Sequence, residues 1–154
     1  MIQAWRICRK TSKRKAFDGS GARRYGGRWN PEGLAVVYTA ESRALAALEI
    51  LVHSDPQDLP DDFICFGVEI PARVKLEHVD RRRLPRGWRR YPAGPRLQQI
   101  GRDWIEAGKT AVLQVPSAVI PAEHNYLLNP LHPDIGTIRI GRSEPFAFDP
   151  RLQD

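Results

Sequence analysis

The 154-residue chain contains little cysteine and no long apolar run, and each absence excludes a class of protein. Cys8 and Cys65 lie far apart and form no CxxC pair, which predicts buried, reduced thiols rather than a disulfide framework or a zinc site. The four histidines have no metal-binding spacing, so we expect no metal. No stretch approaches the roughly 18 apolar residues that a membrane helix needs.

The start of the chain also lacks the order of charges that marks a secretory signal. It runs apolar first and basic second, which is the reverse of such a signal, so a cytoplasmic protein without a membrane partner is predicted. The net charge is +6, and a basic surface attracts nucleic acid, dinucleotides or acidic proteins alike. The length favours a single domain spanning residues 1–154.

The pattern of apolar residues and helix formers indicates an α/β protein. Strands are predicted at 2–8, 34–39, 63–70, 73–79, 111–115, 137–140 and 146–148, with helices at 41–53 and 96–107. Residues 9–33 read as a long basic, glycine-rich loop, and 117–133 as a mixed segment broken by Pro121 and Pro130. Because strands outnumber helices without regular alternation, we expect a compact mixed-sheet domain with a few helices.

The most informative motif is the run YGGRWNP, which begins at Tyr25 and carries Arg28 behind two glycines. Arginine offers a planar fork of donors that suits phosphate or carboxylate. Tyr38 and Glu49 follow on the next predicted strand and helix, and the three together suit a phosphorylated, glycosidic substrate. From the residues alone, Arg28 and Glu49 equally fit a structural ion pair, and Tyr38 equally fits core packing.

A second motif combines VPSAVIP, which contains Ser117, with NYLLNP, which begins at Asn125. Ser117 has no GxSxG elbow, so we expect a hydrogen-bonding or loop-capping serine rather than an acyl-transfer nucleophile. The local pattern makes Asn125 a residue of a turn or a strand end.

Together the two motifs resemble the signature of RES-domain toxins, and the likeness runs from Trp5 to the strand near Ile138. The resemblance implies an ADP-ribosyltransferase-like fold and an enzyme that breaks the nicotinamide–ribose bond of NAD, which is its substrate and not a cofactor. It further implies a cognate Xre-type antitoxin that covers the active site. A homodimer of the toxin within that complex is possible. No direct DNA contact is expected, because the chain carries no DNA-reading helix pair.

The resemblance also implies roles for the candidate residues. Arg28 and Glu49 become the catalytic pair, whereas Tyr38, Ser117 and Asn125 become substrate-binding residues, with Tyr38 stacking on the nicotinamide ring. Water, phosphate or a protein side chain all remain open as the acceptor of ADP-ribose. An ADP-ribosyltransferase that modifies a protein is therefore an alternative.

A third feature is the arginine-rich segment 80–95, in which cations alternate with aromatic rings. That composition suits single-stranded nucleic acid, so a basic nucleic-acid-binding module without enzyme activity is a second alternative. A solvated basic loop outside the active site is the commoner fate of such a segment, and it is our expectation here. A scaffold protein without a site would leave GGRWNP unexplained.

Overall fold

The computed structural model describes all residues 1–154, and a mixed sheet of eight strands forms its centre. The strands are β1 Ile2–Arg9, β2 Val37–Ala40, β3 Phe63–Ile70, β4 Leu76–His78, β5 Val112–Pro116, β6 His124–Leu128, β7 Arg139–Ile140 and β8 Glu144–Phe146. They lie in the order β4-β5-β6-β2-β1-β3-β7, and β8 also pairs with β3. Only β4 and β5 run parallel, so the predicted mixed-sheet α/β fold is confirmed.

The sheet is continuous on one side of β1 and almost divided on the other. β1 pairs with β3 along its whole length, from Ile2 opposite Ile70 to Arg9 opposite Phe63. Its pairing with β2 consists of one position, Trp5 opposite Ala40. β2 then continues into a regular ladder with β6. The two strands β1 and β2 therefore separate within the sheet, and the candidate site lies at this separation.

Three α-helices pack on the sheet: α1 Ser20–Tyr25, α2 Arg43–Leu51 and α3 Pro95–Ala107. α2 begins where the Ser42 hydroxyl accepts a hydrogen bond from the Leu45 amide at 3.0 Å, as N-caps do. Its Leu45 and Ala46 are buried against β1 and β3. α3 ends at Gly108, whose φ of 61° is the left-handed conformation that glycine commonly adopts after the last turn of a helix.

Several predicted segments differ from the structure. The supposed loop 9–33 contains a 3₁₀ helix, Lys10–Lys15, as well as α1. The mixed segment 117–133 contains β6, which lies between β2 and β5. The final strand shrinks from 137–140 to Arg139–Ile140. The miss at β6 has a clear cause, because this strand opens with the polar pair His124 and Asn125, and its extended form depends on neighbours distant in sequence.

The two cysteines are free, and burial raises the pKa of both thiols above the ordinary value. Cys65 is buried as expected, whereas Cys8 is only partly buried. No helix has the length and apolar character required to cross a membrane.

Candidate active site

The GGRWNP motif folds into a loop that is built around one amide side chain. Asn30 is fully buried, and its Nδ2 donates to the carbonyls of Ala22, Pro31 and Leu34 at 2.9 to 3.1 Å. Its Oδ1 accepts from the Tyr38 hydroxyl at 2.6 Å. Asn30 therefore ties the loop to α1 and β2, and its role is structural.

Two glycines allow the loop to pack this closely. A Cβ on Gly27 would lie 2.7 Å from the Tyr38 hydroxyl oxygen. A Cβ on Gly101 of α3 would lie 1.5 Å from the carbonyl oxygen of Trp29, which no side chain allows. Trp29 itself is buried against Leu97 of α3. The Trp29 ring, although next to Arg28 in the motif, therefore belongs to the core.

Arg28 is the residue of this motif whose charged group lines the cleft. Its Nη1 donates to the carbonyls of Trp88 and Arg90 at 2.8 and 3.0 Å. No carboxylate lies within ion-pair distance of it, so the alternative of a structural Arg28–Glu49 salt bridge is not what the fold contains. Burial lowers the pKa of Arg28, while the nearby Glu49 charge opposes that change. Arg28 remains a cation available to an anionic ligand.

Glu49 receives two hydrogen bonds at one oxygen. Its Oε1 accepts from the Ser117 hydroxyl at 2.9 Å and from Asn125 Nδ2 at 2.7 Å. Oε2 accepts no hydrogen bond within the protein, and Glu49 lines the cleft. The fold thus brings together three predicted residues from α2, from the end of β5 and from β6. It orients one carboxylate and leaves its second oxygen for a ligand.

Ser117 is fully buried and lines neither cavity described below. Its hydroxyl oxygen accepts from the amides of Val119 and Ile120, both at 3.1 Å, while its hydrogen is donated to Glu49. The loop-capping role expected from the sequence is therefore joined to a second role. Ser117 positions the Glu49 carboxylate.

The Tyr38 hydroxyl forms hydrogen bonds with the GGRWNP loop. Its oxygen accepts from the Trp29 amide at 3.1 Å, and its O–H donates to Asn30 Oδ1. Burial raises the pKa of Tyr38, so the hydroxyl stays protonated and keeps donating at neutral pH. The residue lines both cavities.

Two adjoining cavities define the site. The larger one, which we call the main cleft, has a volume of about 620 Å³, within the usual range for small-molecule sites. The smaller one, the side cavity, has a volume of about 160 Å³ and lies where β1 and β2 separate. Four side chains line both cavities: Arg6, Tyr38, Glu49 and Asn125.

The arginine-rich segment borders the cleft through its last residues, so its expected placement outside the site is wrong there, although none of its arginines lines the cleft. Tyr91, Pro92 and Ala93 line the main cleft, and the Tyr91 ring lies 4.9 Å from the His53 ring between centroids. Arg89 donates to the Ala118 carbonyl at 2.8 Å, just after Ser117. The segment therefore forms one wall of the cleft, a position that its composition did not indicate.

Several residues that line the main cleft were missed by sequence reasoning, among them Arg6, His53, Tyr91 and Gln98. Arg6 lies between Trp5 and Ile7 in β1, and a charge between two apolar neighbours was the one local signal. No group of three or more His, Cys, Asp or Glu side chains is placed to hold a metal ion.

Comparison with known proteins agrees with this α/β fold. The family model of the RES domain matches residues 3–149. The chain is 40% identical over 152 residues to the "Prs ADP-ribosylating toxin" of Sphingobium sp. (strain YBL2), covering 96% of this chain and 94% of the relative. It is 38% identical over 155 residues to "Toxin Res" of Yersinia enterocolitica, covering 99% and 100%.

The chain therefore belongs to the RES-domain family of toxins, as its motifs predicted. A solved structure shares the fold: a chain of the M. tuberculosis MbcT–MbcA toxin–antitoxin complex superposes with a TM-score of 0.76 at 19% identity. The match covers 99% of this chain and 86% of that one.

Proposed function

We propose that this toxin cleaves the nicotinamide–ribose bond of NAD and so arrests growth by depleting the NAD of the cytoplasm. The observation that carries the proposal is the Glu49 carboxylate, which Ser117 and Asn125 hold at one oxygen where the two cavities meet. Arg28 lines the same cleft without a carboxylate partner. An oriented anion beside an unpaired cation suits a substrate that is anionic at its phosphates and becomes cationic at the sugar.

The chemistry follows from the bond that breaks. Glycosidic bonds break through an oxocarbenium-like transition state, in which positive charge develops on the ribose. The bonding electron pair leaves with the ring nitrogen, so nicotinamide departs neutral and requires no general acid. A carboxylate fixed before the reaction stabilises the developing charge without reorganisation, and Glu49 is that group. An acceptor then attacks C1′ of the ribose and loses its proton.

Arg28 would hold the substrate through its phosphates. Its guanidinium is already oriented by the carbonyls of Trp88 and Arg90, which use Nη1 and leave other donors for a ligand. Tyr38 would stack on the nicotinamide ring, since its hydroxyl is engaged with Asn30 and its side chain lines both cavities. NAD acts here as substrate, and the proposal requires neither a cofactor nor a metal.

The acceptor separates two versions of the proposal. Water or phosphate would give free ADP-ribose or its 1-phosphate, whereas a protein side chain would give a modified protein. The second version is favoured by one observation, the name of the 40%-identical relative, an ADP-ribosylating toxin. Incubating the free toxin with NAD carrying a labelled adenine, with phosphate and with cell extract, separates the three products.

The decisive measurement is nicotinamide release by the purified toxin and by its Glu49→Gln variant. We expect release by the wild type and loss of at least about 100-fold in the variant. Undiminished NAD after incubation with folded toxin and each acceptor would contradict the proposal. If cells stop growing while their NAD concentration stays constant, the proposed reaction would instead be modification of a protein.

We also expect a cognate antitoxin, of Xre type, to cover the main cleft. The structural neighbour was solved in a toxin–antitoxin complex, and the arginine-rich wall offers an electrostatic docking surface. A toxin homodimer within such a complex, and the absence of direct DNA contact, remain predictions.

The nucleic-acid alternative has less support. Arg81 and Arg89 donate hydrogen bonds to backbone carbonyls, and Arg82 forms an ion pair with Asp80 at 3.0 Å. Fewer of the clustered charges are therefore free for phosphates than the sequence suggested. Salt-dependent RNA binding by a toxin without effect on NAD would restore this alternative.

A further inference from the structure

Two enclosed side-chain polar atoms in this protein have no hydrogen-bond partner, and they belong to the same place. They are Arg6 Nε, a donor, and Asn125 Oδ1, an acceptor. Both side chains line the side cavity and the main cleft. Unpartnered enclosed polar atoms are unfavourable, and native folds satisfy most of them. Their coincidence at one cavity points to a ligand that supplies the missing partners.

The orientation of each group is set by its other contacts. Asn125 Nδ2 donates to the Glu49 carboxylate at 2.7 Å, which leaves Oδ1 as the atom without a partner. Arg6 Nη1 donates to the Tyr38 carbonyl at 2.9 Å, across the separation of β1 and β2. Arg6 forms no ion pair with a carboxylate. The donor and the acceptor are thus held in place without a ligand.

The missing partners must be one acceptor, for Arg6, and one donor, for Asn125. A primary carboxamide carries both on a single planar group, as its carbonyl oxygen and its NH₂. The side cavity has about 160 Å³ and a mainly apolar lining, including Trp5, Ile7 and Ile50. A cavity of about 150 Å³ holds a six-membered aromatic ring.

We infer that the side cavity is the nicotinamide subsite, in which Arg6 Nε donates to the carboxamide oxygen and Asn125 Oδ1 accepts from the carboxamide NH₂. The inference rests on the proposed function and deepens it by naming the residues that select the leaving group. Glu49 lines both cavities, so a ring in the side cavity places the ribose bond beside the carboxylate. Asn125 then serves both the leaving group and the Glu49 carboxylate.

The subsite predicts selection among three free bases. Nicotinamide offers both partners, 3-acetylpyridine keeps the carbonyl but replaces NH₂ with methyl, and nicotinate keeps oxygens but has no NH₂. We expect nicotinamide to inhibit NAD cleavage with a constant about 10- to 100-fold lower than the other two, because each leaves Asn125 Oδ1 unpaired. Product inhibition reports binding of the free base, so differences in leaving-group reactivity do not enter.

A substitution at Arg6 tests the second contact. Arg6→Lys keeps a cation that can bond the Tyr38 carbonyl and removes Nε, so nicotinamide inhibition should weaken about tenfold. Arg9→Lys is the matched control, because Arg9 lies on the same strand, is exposed and lines neither cavity. It should leave the inhibition constant unchanged.

The outcomes separate the subsite from the activity. Equal inhibition by the three bases, in a wild-type toxin that does cleave NAD, overturns the subsite and leaves the proposed function standing. This comparison uses the wild type and does not depend on the folding of any variant. No release of nicotinamide from NAD by the folded toxin overturns the proposed function, and the subsite with it.

Discussion

The Ser117 hydroxyl lies 2.9 Å from Glu49 Oε1, although 68 residues separate the two in the sequence. The same hydroxyl accepts from the amides of Val119 and Ile120, so its hydrogen is directed at the carboxylate. Ser117 is enclosed, whereas Glu49 lines the cleft. The serine of the motif is a support for the acid and not a nucleophile.

Replacing Ser117 should therefore impair both activity and stability. Ser117→Ala leaves the partly buried amides of Val119 and Ile120 without their acceptor and frees the Glu49 carboxylate, which should destabilise the fold by about 1 to 3 kcal/mol. Misplacing the carboxylate should lower kcat on the order of 10- to 100-fold. Urea unfolding and nicotinamide release measure the two effects. A stable variant with full kcat would show that Glu49 needs no support.

Glu49 should be the residue whose charge the reaction requires. Glu49→Gln keeps the shape of the side chain and removes the charge, so kcat should fall at least about 100-fold with little loss of stability. Glu106→Gln is the matched control, because Glu106 is an exposed residue of α3 outside both cavities. A Glu49→Gln variant that turns over NAD normally would move the catalytic role elsewhere.

The arginines of segment 80–95 should divide into two groups. Arg81 and Arg89 donate to carbonyls of residues 118–121 and hold the cleft wall in place. Replacing both with Gln should raise KM for NAD about 3- to 10-fold through the lost hydrogen bonds.

The matched control is the double substitution of Arg82 and Arg83 with Gln. Neither of these arginines lines the cleft, and Arg82 bonds only to Asp80, two residues away. KM should stay unchanged. An equal rise in both double variants would mean that the net charge, and not the wall, governs binding.

Gly101 should be irreplaceable, although it lies inside a helix. Alanine normally stabilises a helix by up to about 1 kcal/mol over glycine. Here its Cβ would meet the Trp29 carbonyl oxygen at 1.5 Å, so Gly101→Ala should destabilise the fold by about 3 kcal/mol and displace Arg28. Gly21→Ala in α1, where a Cβ meets nothing within 4 Å, is the control and should be neutral or stabilising. Thermal unfolding measures both, and an unchanged Gly101→Ala variant would refute the close packing.

Local pattern was enough for α2, α3 and most of β1, β3 and β5. Each has apolar residues spaced at the period of a helix or of a strand, or a terminal signal such as Gly108. Its secondary structure therefore depends little on distant contacts. β6 has no such signal at its start. Its extended form comes from pairing with β2 and β5 on both sides, which no local window contains.

The sequence by itself determined the mixed α/β class, the family, and the residues Arg28, Tyr38, Glu49, Ser117 and Asn125 as candidates. Only the tertiary structure decided which of the residues near the site support the loop and which line the cleft. Asn30 and Trp29 build the loop, Ser117 orients Glu49, and Arg6 joins the site from β1. The reason is physical: which side chains meet, and which polar atoms stay unpaired, depends on strand pairing and helix packing between segments far apart in the chain.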